Sequence, residues 1–321
     1  MAKVVRSNPI ATKKSWDAVS VSDAFSNFLR VKKLDCADNT MRIYAEIGER
    51  SIVPQLTELT GNDMSKLTAD DLRDVLEEYS QTHENGGTVF LYRHMRTFVN
   101  WFWNEYDIPE PNPMQKVKCK KVSQPPKEGI TQEEVDRLLE ATKRSSMFPE
   151  RDIAFIMLLC DTGIRKSSII NLRMRDVNVD RSEIVCFEKD QQFHTKPFGA
   201  ATCKAIKKYL NCLEGYEPDD PFWLSVDGKH LAPSGFREIL RRNCTAAGIP
   251  VHQFHDFRRY YGLQLYNSTH DIYAVSRALD HKSIEVTKRY LAIDDRENAE
   301  VVRAFSPMDK KFRQTKIRVQ R

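Results

Sequence analysis

Arg165, His255, Arg258, His281 and Tyr290 fall in three short runs in one half of this chain. The runs are Thr162-Gly-Ile-Arg165, His255-Asp-Phe-Arg258, and Leu279-Asp-His281 continuing to Lys288-Arg-Tyr290-Leu. Together these residue types support phosphodiester chemistry without a metal. The transition state of that chemistry spreads negative charge over the non-bridging oxygens. An arginine fork binds two such oxygens and never deprotonates. Arg165 and Arg258, from separate points of the chain, can therefore clamp one phosphate. Removing one preorganised donor of this kind costs about 10²–10³ in rate. Tyr290 is a candidate nucleophile, and with an unperturbed pKa of about 10 it needs a base or a positive neighbourhood. His255 precedes Arg258 by three residues, which on a helix sets both on one face, toward the same phosphate. A departing 5′-oxygen needs a general acid, a task for a lysine on a hairpin.

The elements that must position these groups are mostly helical. Ser20 to Leu34 has Phe25, Phe28 and Leu29 on one face, and a second helix runs from after Asn39 toward Ile52, where Pro54 interrupts it. Thr68-Ala-Asp-Asp71 is a capping-box start for a third helix, and a fourth follows Gly86-Gly87 to about Tyr106. Four helices in this span make a small helical domain over 18–106, after a basic arm at 1–17. The aromatics of the fourth helix read as core. Its Arg93, His94 and Arg96 read as a solvated face before they read as a nucleic-acid contact.

Residues 107–129 contain five prolines, and from Pro111 to Gly129 there are five lysines and one acid. This is a basic linker, suited to lie along a phosphate backbone or simply to stay solvated. A second domain spans 130–305. Thr131-Gln-Glu-Glu134 is a capping box, and Pro149 opens an apolar helix that stops at Gly163. Arg165 follows on a turn into Ser167–Leu172. Glu183–Glu188 and Phe193–Phe198 read as paired strands with Lys189 in or near their connection. Helices are expected at 202–213 and 234–247, with a short strand at Pro221–Val226 between them. From Phe254 to Phe305 the pattern is helical, with turns near Thr269 and Asp280. The tail, 306–321, carries six basic residues and one acid.

Composition narrows the class. Of 321 residues 40% are hydrophobic and 30% charged, enough for two domains with their own cores. The net charge of +5 only mildly favours a polyanionic partner, so the placement of charge carries more information. Seven scattered cysteines, an odd number with no CxxC spacing, point to a reduced intracellular protein without a disulfide framework or a zinc site. The N-terminus has no apolar segment of the secretory kind, and no apolar run is long enough to span a membrane. His252 and His255 lack a supporting cysteine or acid cluster, which argues against a metal.

In order and separation, the three runs resemble the boxes of the tyrosine recombinase (phage integrase) family. Thr162-Gly-Ile-Arg165-Lys-Ser-Ser-Ile-Ile-Asn-Leu172-Arg is similar to its first-arginine box. His255-Asp-Phe-Arg258-Arg is similar to its HxxR box. Leu279-Asp-His281-Lys-Ser-Ile-Glu-Val-Thr-Lys-Arg-Tyr290-Leu is similar to its final box, where a histidine precedes the tyrosine by nine residues. The resemblance covers about 130–305 well and 18–106 more loosely.

The resemblance implies a mainly α fold with a small β component. A helical, SAM-like core-binding domain and a mixed α/β catalytic domain would form a C-shaped clamp on double-stranded DNA. Arg165 and Arg258 would bind the scissile phosphate, and Tyr290 would attack it to give a 3′-phosphotyrosyl link and a free 5′-hydroxyl. His255 would assist as general base and His281 would hydrogen-bond a phosphate oxygen. The family's general-acid lysine sits on a β-hairpin, where Lys189 fits best and Lys196 is the alternative. No metal, ATP or other cofactor is implied. A homotetramer on two specific core-type DNA sites is implied, from a dimer or monomer when free, with 295–321 as the segment exchanged between protomers. The setting would be cytoplasmic, on the nucleoid, in DNA integration by a mobile element or in chromosome-dimer resolution. The short stretch before the first helix leaves no room for an arm-binding domain. Two departures stand out: Ser168 replaces an acid common three residues after the first arginine, and Asp280 replaces the usual glycine before the box histidine. A type IB topoisomerase-like relaxing enzyme and a catalytically inactive DNA-binding accessory protein are the alternatives.

Overall fold

The computed structural model describes residues 16–119, 129–187, 192–281 and 283–291, with 289–291 described by backbone only. The basic arm, most of the linker's second half, Lys189 and the C-terminal tail lie outside the described residues. The chain divides into two compact units, Met1–Gln124 and Pro125–Arg321.

The first unit is helical: α1 (Val21–Lys32), α2 (Asp38–Ile47), α3 (Val53–Thr60), α4 (Ala69–Thr82) and α5 (Asn85–Glu105). Ser20 caps α1 by accepting from the amide of Asp23, and Thr68 with Asp71 closes a reciprocal capping box on α4. Pro54 does not interrupt the second helix as the sequence suggests. A π-turn, Gly48–Ile52, joins α2 to α3, and Pro54 falls in the first turn of α3, where an amide donor is not needed. Gly48 allows this join, since a Cβ there would meet the Phe25 ring at 1.8 Å. The core is aromatic: Phe98 meets Phe25 and Phe28 edge to face with centroids 5.2 and 5.5 Å apart, and Phe25 and Phe28 are tilted on each other at 5.7 Å. Packing continues beyond Tyr106 into the stretch read as linker. Met114 and Val117 are 3% exposed and join the same core. Asn112 caps a 3₁₀ turn there, and the Tyr92 hydroxyl donates to the Val117 carbonyl.

The second unit is built around α7 (Pro149–Thr162), which packs against α6 (Gln132–Ser145), α9 (Ala200–Leu210) and α11 (Phe254–Thr269). The expected Thr131–Glu134 capping box starts α6. Between α8 (Lys166–Ile170) and α9 lies a three-stranded antiparallel sheet of β1 (Val177–Asn178), β2 (Glu183–Phe187) and β3 (Phe193–Pro197). Opposite partners are Ile184 and Lys196, Cys186 and His194, Phe187 and Phe193. The strand expected at Pro221–Val226 is instead two isolated bridges, Arg173 with Pro221 and Leu224 with His230. Side chains take some of its backbone groups, and isolated loop backbone takes others, with Phe222 N donating to Leu172 O and Trp223 O accepting from Leu231 N. Tyr209 donates to Phe222 O at 2.8 Å and accepts from Leu224 N at 2.9 Å, and Arg151 donates to Leu224 O. Helices α10 (Pro233–Ala246), α12 (Ile272–Ala278) and α13 (Ile284–Leu291) complete the described residues. The core joins Phe155, Trp223, Phe236 and Phe254 from four separate segments. No helix among the described residues is long and apolar enough to cross a membrane.

Candidate active site

The site forms where α7 ends, α8 begins and α12 turns into α13. Gly163 ends α7 in the left-handed region, with φ of 54°. It also faces Tyr261 and Leu279 so closely that a Cβ would lie 2.5 Å from Tyr261 Cδ1. The chain then extends through Ile164, and Arg165 becomes the N-terminal flanking residue of α8.

A capping box of Gln253 and Asp256 starts α11. Its first turns carry His255 and Arg258 on one face, as their spacing requires. Arg258 is buried at 4% exposure. It donates to Gly163 O at 2.7 Å and to Leu279 O. Arg165 donates to Asp280 O at 2.5 Å. Both guanidiniums are thus held by backbone carbonyls of one small region. A guanidinium has five donors, so such bonds orient it without using it up.

The turn that accepts them is the C-terminus of α12. The amide of Asp280 donates to Arg277 O and that of His281 to Ser276 O, both at 3.0 Å. This is a Schellman motif, and it places Asp280 in the left-handed region with φ of 48°. That geometry explains why glycine suits the position. A non-glycine residue there is strained by roughly 1–2 kcal/mol, least for Asn and Asp. The Asp280 carboxylate meets Lys196 Nζ at 2.5 Å and His194 Nδ1 at 2.8 Å. Sequence reasoning did not anticipate this contact. Its signal was available, because alternation along β3 puts His194 and Lys196 together on one face.

His281 follows the turn, with Nδ1 2.7 Å from Thr287 Oγ1 on α13. Burial, then the charges of Arg258 and Arg165, lower its pKa from 6.5 to about 4. His255 is solvent-exposed by surface area, yet nearby protein atoms desolvate its ring. That desolvation, with Arg259 and Arg258, holds its pKa below the usual value. Both imidazoles are therefore mainly neutral near pH 7, a state in which one ring nitrogen can accept a proton and the other can donate a hydrogen bond. Ser168 is 5% exposed and its hydroxyl donates to Phe187 O at 3.3 Å, at the end of β2.

The structure thus brings Arg165, Arg258 and His281 together around one turn, with His255 beside Arg258 on α11. Tyr290 lies on α13, the helix whose Thr287 meets His281, and its side chain is outside the described residues. Lys189 is also outside them, while Lys196 is on β3 and paired with Asp280. His252, a tempting metal ligand in the sequence, lies 3.3 Å from Glu134 Oε2 and 3.8 Å from Asp256 Oδ2. Among the described residues no group of His, Cys, Asp and Glu is arranged to hold a metal ion.

Comparison with known proteins identifies the family and the fold. The family model described as "Phage integrase family" matches residues 128–297. The chain is 27% identical to "Tyrosine recombinase XerC" of Oceanobacillus iheyensis, over 84% of this chain and 90% of that protein. It is 24% identical to "Tyrosine recombinase XerD" of the same organism, over 88% and 97% respectively. Its backbone is similar to that of a lambda integrase dimer bound to a COC′ core site, with TM-score 0.71, 15% identity, and coverage of 91% of this chain and 82% of that one. It is similar too to XerH site-specific recombinase bound to difH substrate, with TM-score 0.68, 16% identity, and coverage of 90% and 97%. At these identities the structural likeness speaks for the fold.

Proposed function

From the premise that this chain belongs to the phage integrase family, the tyrosine-type site-specific recombinases, we propose that it cuts and rejoins duplex DNA through a 3′-phosphotyrosyl intermediate. The observation that carries the reading is the convergence of Arg165, Arg258 and His281 on the Gly163–Asp280 region, next to the helix that bears Tyr290. In this scheme the two guanidiniums hold the non-bridging oxygens of one phosphate. The Tyr290 oxygen attacks phosphorus, and His255, neutral at pH 7, takes the phenolic proton. The P–O5′ bond breaks as the 5′-oxygen takes a proton from a lysine ammonium. His281 donates a hydrogen bond to a phosphate oxygen. Attack by a second 5′-hydroxyl reverses these steps on the partner strand. The bond energy stays in the phosphotyrosine, so no ATP or metal is required.

Lys189 is the better candidate for the general acid. Lys196 is 4% exposed and engaged by Asp280 and by Ala278 O, so moving its proton to a leaving group would break a buried pair. The partners are core-type DNA sites, and the assembly is a homotetramer spanning two of them.

Covalent trapping tests the reading. The chain is incubated with nicked duplexes tiled from the DNA flanking its own gene, and an SDS-resistant adduct is sought. An adduct that is lost in Tyr290→Phe, with gel-shift binding retained, is the expected result. Binding without any adduct in the wild type would replace the reading with that of an accessory DNA-binding protein.

A further inference from the structure

Strand β3 departs from the pattern of a half-buried strand. Its inward positions, opposite buried Cys186 and Ile184, hold His194 and Lys196 where apolar residues are usual. Lys196 is 4% exposed, and a buried ammonium needs a partner. Both side chains converge on Asp280: Lys196 Nζ meets Oδ2 at 2.5 Å and His194 Nδ1 meets Oδ1 at 2.8 Å. Lys196 also donates to Ala278 O at 2.8 Å. Both oxygens of one carboxylate are thereby tied to the hairpin. The backbone of the same turn faces the other way, since Asp280 O accepts from Arg165 and Leu279 O from Arg258. Asp280 therefore joins two systems, the sheet through its side chain and the guanidiniums through its carbonyl.

We infer that Asp280 is a positioning residue: latched by Lys196 and His194, it fixes the two carbonyls that aim Arg165 and Arg258 at one phosphate. The inference rests on the recombinase reading above and adds a device that the glycine usual at this position cannot provide. It also gives Lys196 a task in the latch instead of in proton transfer. Asp280 itself touches no reacting atom.

The test is single-turnover cleavage by the full chain on a nicked duplex that the wild type cleaves, made in two forms. One carries the ordinary phosphodiester. The other carries a methylphosphonate, in which an uncharged methyl replaces one non-bridging oxygen and leaves the arginines less charge to hold. Asp280→Asn keeps a residue that tolerates left-handed backbone, and Lys196→Met removes the ammonium at similar volume. Each variant is expected to slow cleavage of the ordinary substrate by about 10- to 100-fold, less than the roughly 10²–10³ for removing such a donor outright, because both guanidiniums remain and lose only their alignment. Gel-shift affinity stays at the wild-type level, and the penalty shrinks toward unity on the methylphosphonate. The double variant, which leaves no unpaired buried charge, regains the wild-type melting temperature but stays slow. The latch is refuted by a wild-type rate in Asp280→Asn, by equal penalties on both substrates, or by a rate that returns with stability in the double variant. If the wild type itself forms no Tyr290 adduct on any duplex, the recombinase reading fails, an outcome read from the wild type alone.

Discussion

Arg258 donates to the carbonyl of Gly163, 95 residues before it, at 2.7 Å. This bond ties the first turns of α11 to the end of α7, and it depends on the turn that Gly163 makes. An alanine there would have to keep φ of 54°, and its Cβ would press on Tyr261 at 2.5 Å and Leu279 at 3.0 Å. Gly163→Ala should therefore cost about 1–3 kcal/mol, from backbone strain and overpacking together. For a unit of this size that lowers the melting temperature by roughly 2–4 °C per kcal/mol, measurable by calorimetry. Adduct formation should fall with it, because the acceptor of Arg258 moves.

His281 gives a pH dependence with a definite sign. Its folded pKa, about 4, lies below its ordinary 6.5 because burial and the two arginines disfavour the charged ring. Between those values the unfolded chain binds more protons, so stability rises with pH across the window. The contribution is complete above pH 6.5 and is lost progressively as pH falls toward 4. Melting temperature measured against pH should show this slope, and His281→Gln should flatten it. A slope unchanged in His281→Gln would show that other groups cause it.

Much of the fold and of this site was legible because their parts are local. Capping boxes at Thr68 and Thr131, the glycine stop at Gly163 and the His255–Arg258 spacing are short-range signals, and each appears in the structure at those residues. What escaped depends on contacts distant in sequence. In the sequence Pro54 suggests a break, because a π-turn leaves no simple periodic mark. Pro221–Val226 has strand composition, yet the Tyr209 hydroxyl and Arg151 take the bonds a neighbouring strand would supply. Met114 and Val117 sit among prolines and lysines that suggest a solvated spacer, but they fill the first core. In the sequence Asp280 shows only as a departure from glycine. Its partners lie 84 and 86 positions earlier, on a strand whose polar inward face had no evident purpose until the turn was placed against it.

Ser168 stands three residues after Arg165, where the family resemblance implies an acid, and its hydroxyl donates to Phe187 O at 3.3 Å. It thereby holds the end of β2, two residues before Lys189. Ser168→Ala should cost about 0.5–1.5 kcal/mol, the usual net worth of one such bond. If Lys189 is the general acid, cleavage should slow severalfold at unchanged DNA affinity. Ser167→Ala, at the exposed neighbouring position, serves as the control and should match the wild type in both measurements.

The strongest single stability effect should come from Asp152, on the first turn of α7, the helix that ends at the Thr162–Arg165 run. Its carboxylate is fully buried and meets Arg151 at 2.6 Å, the Ser146 hydroxyl at 2.6 Å and Asn243 Nδ2 at 3.4 Å. Arg151 is itself 3% exposed and donates to Leu224 O, so this cluster connects α7, α10 and the Phe222–Leu224 segment. Removing the carboxylate leaves the guanidinium buried without its counter-charge, a loss of about 3–5 kcal/mol. Asp152→Ala should lower the midpoint of urea unfolding for the second unit without changing the m-value. Replacing both charges, as in Arg151→Met with Asp152→Leu, should recover a large part of that loss, because the cost comes from the unpaired ion and not from the missing attraction. A double variant as unstable as Asp152→Ala would instead assign the loss to the hydrogen bonds from Ser146 and Asn243.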